Sequence, residues 1–182
     1  MIGYIVFGIF SLILLFVSRR TILHPKSHGF YRFFGWECLL WLIINNYMYW
    51  FVNPFDVNQI FSWLFLIYSL ILLIPGLILM KKLGKPAESR HDNSLYRFEK
   101  TTELIETGIF RYVRHPLYGS LLFLTWGVCL KNPEFILVII SFAASVFFYI
   151  TAVWEEKEDI AYFGDKYKDY IRRSKMFIPY IL

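Results

Sequence analysis

The sequence predicts an all-α fold: a polytopic membrane helical bundle of about five transmembrane helices, with a cytoplasmic interfacial helix at the C-terminus. Three observations predict it. The 182 residues are 57% hydrophobic and 21% aromatic, with a mean hydropathy of +0.48, well above an ordinary soluble domain. Apolar runs recur along most of the chain. The connections between them alternate between rich and poor in lysine and arginine. The length suits a single integral-membrane domain over 1–182. Its first part, 1–80, holds three membrane helices, and 81–182 holds a binding loop, a helical hairpin and a tail.

The first run, Ile2–Val17, has no basic residue before it and no small-residue cleavage site after it, which argues against a signal peptide. Arg19 and Arg20 follow it, as they follow a first membrane helix. The second run is Phe33–Phe51 and the third Ile60–Met80. Pro75 and Gly76 are expected to bend the third helix near its end, where neighbouring protein must satisfy the freed carbonyls. The fourth, Leu117–Leu130, is short for the roughly 20 residues of a full span, as is the first. The fifth is Phe135–Val153, joined to the fourth by a tight Asn132–Pro133 turn.

Charge then sets orientation. Residues 18–32 carry Arg19, Arg20, Lys26 and Arg32, residues 52–59 carry no lysine or arginine, residues 81–116 carry eight, and the tail carries six more. The positive-inside rule places the N-terminus outside and the long loop and tail in the cytoplasm. The net charge of +5 follows from this topology and from anionic headgroups rather than from nucleic acid. In the tail, Ile160, Phe163, Tyr167, Tyr170 and Ile171 follow helical spacing, an apolar stripe of an interfacial helix interrupted at Gly164. Cys38 and Cys129 lie inside apolar runs, as inert thiols without a disulfide or metal pattern. His24, His28 and His91 stand in loops without metal-ligand company and are expected to be solvated.

Two constellations carry chemistry. In RYVRHPLYG (111–119), Pro116 suits the first position of a helix, which puts His115 at the N-cap beside free amides that favour an anion. The plain alternative is a decorated membrane boundary, with arginines to headgroups and tyrosines in the aromatic belt. The second constellation is Glu155–Glu156 at the end of the fifth run. Adjacent helical residues point about 100° apart, so one carboxylate is expected to face the bundle and the other water. An inward carboxylate there suits a cationic ligand or a general base. The alternative is that both are solvated. The hairpin brings the two constellations to one face, where a zwitterionic ligand finds partners for both signs. No HExxH, P-loop or nucleophile elbow is present, and no metal is expected.

TELIETGIFRYVRHPLYG, an apolar hairpin, and EEKEDIAYFGDKYKDYIRRSKMFIP together resemble the integral-membrane methyltransferases. This family includes isoprenylcysteine carboxyl methyltransferase, its bacterial and archaeal relatives, and the phospholipid N-methyltransferases. The resemblance covers about 83–182. It implies S-adenosylmethionine as methyl donor, bound without a Rossmann domain in a cytoplasm-facing pocket, and a lipid-like or membrane-embedded acceptor. Carried over by position, Thr102, Glu103, Leu104, Ile105 and Phe110 would wrap the donor. His115, Pro116, Leu117 and Tyr118 would hold its carboxylate end, and Glu155 and Glu156 its cationic side, with Glu155 also a catalytic candidate. Phe110 stands where the carboxyl methyltransferases have tyrosine. Thr151 stands where they have an arginine for the substrate carboxylate, leaving Arg111 or Arg114 for that role, and YITAVWEE looks more like the phospholipid enzymes. Arg114 is the second catalytic candidate. Competing readings are a nicotinamide-dependent membrane reductase of the sterol-reductase kind and a non-catalytic membrane scaffold.

Overall fold

A computed structural model describes residues 2–85 and 100–181 of the chain. His91 lies outside the described residues. The described chain is all-helical: α1 (Ile2–Ile22), α2 (His28–Asn46), α3 (Val57–Leu83), α4 (Pro116–Cys129), α5 (Phe135–Phe163) and α6 (Asp165–Arg173). Short 3-10 turns occupy Tyr47–Tyr49 and Gly108–Arg111. α1, α3 and α5 have the length and hydropathy to cross a bilayer, as an integral membrane protein requires. α4 is apolar but has only 14 residues.

α3 packs on α4, α2 on α5, and α1 on α2. The α3–α4 seam is made by small residues and by hydroxyls that bond across it. Ser62 Oγ donates to the Gly127 carbonyl (2.6 Å) and Ser69 Oγ to the Ser120 carbonyl (2.8 Å). Small residues let backbones approach closely, and polar side chains then join helices where no water competes. A Cβ on Gly127 would sit 2.9 Å from the Leu66 side chain and 3.2 Å from its backbone nitrogen. Gly35 does the same for α2 and α5, since a Cβ there would meet the Phe148 ring at 2.6 Å. α1 attaches through Phe7 against Trp41 (5.0 Å between rings) and a 2.8 Å hydrogen bond from Ser11 to Glu37.

Leu42, Leu66, Val128, Cys129 and Leu137 form the apolar core at one end. There Lys131 is buried in the α4–α5 turn. Its Nζ donates to Gln59 Oε1 (3.1 Å) and the Trp50 carbonyl (3.3 Å), and lies 3.7 Å from the centre of the Trp63 ring. Burial lowers its pKa. The arrangement fixes the turn to the start of α3.

Several boundaries differ from the sequence expectation. α2 begins at His28, not Phe33, so Arg32 of the basic stretch already lies in the helix. α5 continues without a break to Phe163, so Ile160 and Phe163 belong to it and not to a separate tail helix. The interruption falls at Gly164, whose φ of 66° suits a residue without a Cβ. α3 runs through Pro75 as one helix to Leu83, with Gly76 close against Leu117. In α6, Tyr167 and Tyr170 are buried, so the apolar stripe there turns into the protein.

Candidate active site

The polar ends of these helices enclose a cavity of about 400 Å³. Its walls come from all six helices and from the stretch that follows residue 100. That stretch is tied to the end of α3, where the amides of Thr102 and Glu103 donate to the Gly84 carbonyl (2.9 and 3.2 Å). Gly84 has no room for a Cβ, which would lie 2.5 Å from Thr101 Cγ2. Glu103, Leu104 and Ile105 thereby line the cavity. The Gly108–Arg111 turn then buries Phe110 in the wall, and its carbonyl accepts a 2.6 Å hydrogen bond from the Tyr170 hydroxyl.

α4 starts as its sequence predicts, with His115 at the N-cap and Pro116 at the first helical position. The tail reinforces this start. Lys175 N donates to the Tyr112 carbonyl (3.0 Å), Arg114 N to the Lys175 carbonyl (2.8 Å), and His115 N to the Met176 carbonyl (3.1 Å). Residues 112–115 and 175–176 thus form a short parallel pairing beside the cavity. His115, Pro116, Leu117 and Tyr118 all line it.

α5 brings the carboxylates. Glu155 lines the cavity, and its Oε2 is a buried oxygen without a hydrogen-bond partner among the described residues. Asp159, one turn further on, lines the same wall. Glu156 does not face water. Its Oε1 accepts from Arg114 Nε at 2.7 Å and lies 3.3 Å from His115 Nε2. Arg114 also donates to the Ser174 carbonyl at 2.5 Å. The 100° separation holds, but Glu156 turns onto the tail and pins it through Arg114. Tyr167 and Tyr170 close the cavity. Burial, chiefly, raises both phenol pKa values, so both stay protonated donors.

The sequence-predicted residues therefore fall into two groups. Glu103, Leu104, Ile105, Phe110, Arg114, His115, Pro116, Leu117, Tyr118 and Glu155 meet at the cavity. Thr102 faces a neighbouring surface groove, with its hydroxyl on the Lys85 carbonyl (2.8 Å), and Thr101 lines the cavity instead. Glu156 stands behind the wall. Arg111 is exposed beside Tyr112. Thr151 is buried with its hydroxyl on the Phe147 carbonyl (2.7 Å), capped within its own helix.

Sequence reasoning missed the contribution of α2. His28 is not a solvated loop histidine; it is fully buried at the α2 start. Its amide and Nδ1 bind both oxygens of Glu158 (3.2 and 2.5 Å). Arg32 and Trp36, one and two turns on, line the cavity. The signal was the four-residue spacing His28–Arg32–Trp36, which puts them on one face. His24 is exposed, as expected. Among the described residues no cluster of three His, Cys, Asp or Glu side chains suits a metal ion.

A family profile described as phospholipid methyltransferase matches residues 64–166, more than half of the chain. A methanethiol S-methyltransferase of Crocosphaera subtropica is 35% identical over 74 residues, 40% of this chain and 28% of the relative. Methanethiol S-methyltransferase 1 of Bradyrhizobium diazoefficiens is 30% identical over 91 residues, 48% of this chain and 30% of the relative. The match thus spans less than a third of either relative's length. No solved structure matches the chain significantly.

Proposed function

From the premise that the chain belongs to the phospholipid methyltransferase family, we propose that it transfers a methyl group from S-adenosylmethionine to a lipid-like or membrane-partitioned acceptor. One observation supports the reading above the others. The α4 start, the 103–105 stretch and Glu155, far apart in sequence, line a single cavity of about 400 Å³, within the range of small-molecule sites. The residues suit the donor chemically. His115 and the α4 N-terminus favour a carboxylate. Glu155, with its unpartnered buried oxygen, and Asp159 favour a cation.

S-adenosylmethionine supplies a methyl group already activated on a sulfonium, so the chain's task is to position and to exclude water. Leu104, Ile105 and Leu117 provide apolar walls, while Tyr118, Tyr167 and Tyr170 seal the polar end. For an amine acceptor, Glu155 is placed to take the proton that the amine must lose. A second reading of the acceptor is a thiol, favoured because both relatives are named methanethiol S-methyltransferases.

On the same reading, α2 and α4 also lie within the bilayer. They complete five spans in a single membrane domain over 1–182, with the N-terminus outside and the cavity facing the cytoplasm. The test is to incubate the purified protein in lipid nanodiscs with methyl-labelled donor and a lipid extract, then with an alkanethiol. Labelled lipid or thioether supports the proposal. Absence of any labelled product from folded protein refutes it.

A further inference from the structure

We propose that His28, held by Glu158, is a positioning residue that aims the Glu155 carboxylate into the cavity; the proposal rests on the methyl-transfer reading above. The register of α2 against α5 places it there. Phe34 stacks on Phe147 (5.4 Å between ring centres), Tyr31 stacks on Trp154 (6.3 Å), and His28 binds Glu158. The two helices therefore run antiparallel, and Glu155 falls between the last two of these contacts. It lies one turn before Glu158 on the same face of α5, opposite the first turn of α2. His28, His115 and Arg32 are accordingly the basic neighbours of Glu155.

The His28–Glu158 pair is built to orient. His28 is fully buried, and its amide and Nδ1 take both oxygens of Glu158 (3.2 and 2.5 Å). A carboxylate bound at one ring nitrogen fixes the tautomer and the plane of an imidazole. The Glu158 side chain is 20% exposed, so the pair reaches from the protein surface to the back of the cavity wall.

Packing of α2 on α5 does not call for this pair. The aromatic stacks and the close contact of Gly35 with Phe148 already join the two helices. A buried ion pair is often no more stabilising than apolar residues of similar volume. The carboxylate in the cavity wall does call for it. A buried carboxylate needs basic neighbours to stay charged, yet a wall of net positive charge would repel the sulfonium of the donor. With Glu158 balancing it, a protonated His28 gives Glu155 such a neighbour and adds no net charge to the wall. The carboxylate is thus held ready for a cation without that cation being excluded.

The experiment is a double-mutant cycle on the full chain in nanodiscs. Its readout is the calorimetric Kd for S-adenosylmethionine, with melting curves to show that each variant is folded. His28→Gln alone should raise the Kd about tenfold, near the size of a lost charge-assisted contact. In the Glu155→Gln background the same change should raise it less than about twofold, because its effect runs through the carboxylate already removed. A merely structural histidine would cost the same factor in both backgrounds. Should His28→Gln fail to fold, Glu158→Gln takes its place in the cycle. It leaves the imidazole without its carboxylate and should weaken donor binding only where Glu155 is present. Equal losses in both backgrounds, or an unchanged Kd in the single variants, overturn the proposal. No donor binding by folded wild-type protein overturns the methyl-transfer reading, and this proposal with it.

Discussion

Glu155 and Glu156 are neighbours in sequence, yet they serve different neighbourhoods. Glu155 presents an unpartnered oxygen to the cavity, whereas Glu156 is spent on Arg114 and His115. Glu155→Gln keeps the size of the side chain and removes the charge. The loss of a charge-assisted contact of about 1.5–3 kcal/mol should lower methyl transfer roughly tenfold to a hundredfold, with the melting temperature nearly unchanged. Glu156→Gln should instead lower the melting temperature, because it weakens the link from α5 through Arg114 to residue 174. Parallel melting curves and rates for the two variants check the distinction. That the pair diverges by about 100° was legible from helix geometry; that both would be enclosed was not. The partner of Glu156 comes 42 residues earlier, and no local pattern announces it.

Among the elements, α2 and α5 are clamped where His28 binds both oxygens of Glu158. His28→Asn cannot bind both Glu158 oxygens with the same reach and should destabilise the fold by about 1–3 kcal/mol, and thermal melts in detergent check it. The α3–α4 seam makes a second prediction. Gly127→Ala drives a Cβ against Leu66 and should destabilise the hairpin by about 1–3 kcal/mol, measured as a lower midpoint of thermal unfolding. The α4 start was legible because proline and the N-cap act locally, and the break at Gly164 because only glycine suits that backbone. The early start of α2 was obscured because His28 and Arg32 precede the apolar run that announces the helix. The inward turn of α6 was hidden because an apolar stripe looks the same whether it meets lipid or a cavity.

For the whole molecule, the pattern of apolar runs made the helical bundle legible, since a chain in lipid must satisfy its backbone within helices. The site was half legible. The wall from α4, α5 and the 103–105 stretch carried recognisable chemistry, whereas the α2 wall is assembled only by long-range packing. The topology has its own test. Single cysteines introduced at 52–59, in a background lacking Cys38 and Cys129, should label from outside intact cells, and cysteines in the tail only after permeabilisation. The central claim is that the cavity binds the methyl donor. Its most direct measurement is calorimetric titration of S-adenosylmethionine into the purified, folded protein. The account predicts one saturable site with a Kd between about 1 μM and 1 mM, the usual span for enzyme substrates. His115→Ala and Tyr118→Phe should weaken it, and His24→Ala should leave it unchanged. No binding by folded wild-type protein, or equal loss in all three variants, would contradict the account.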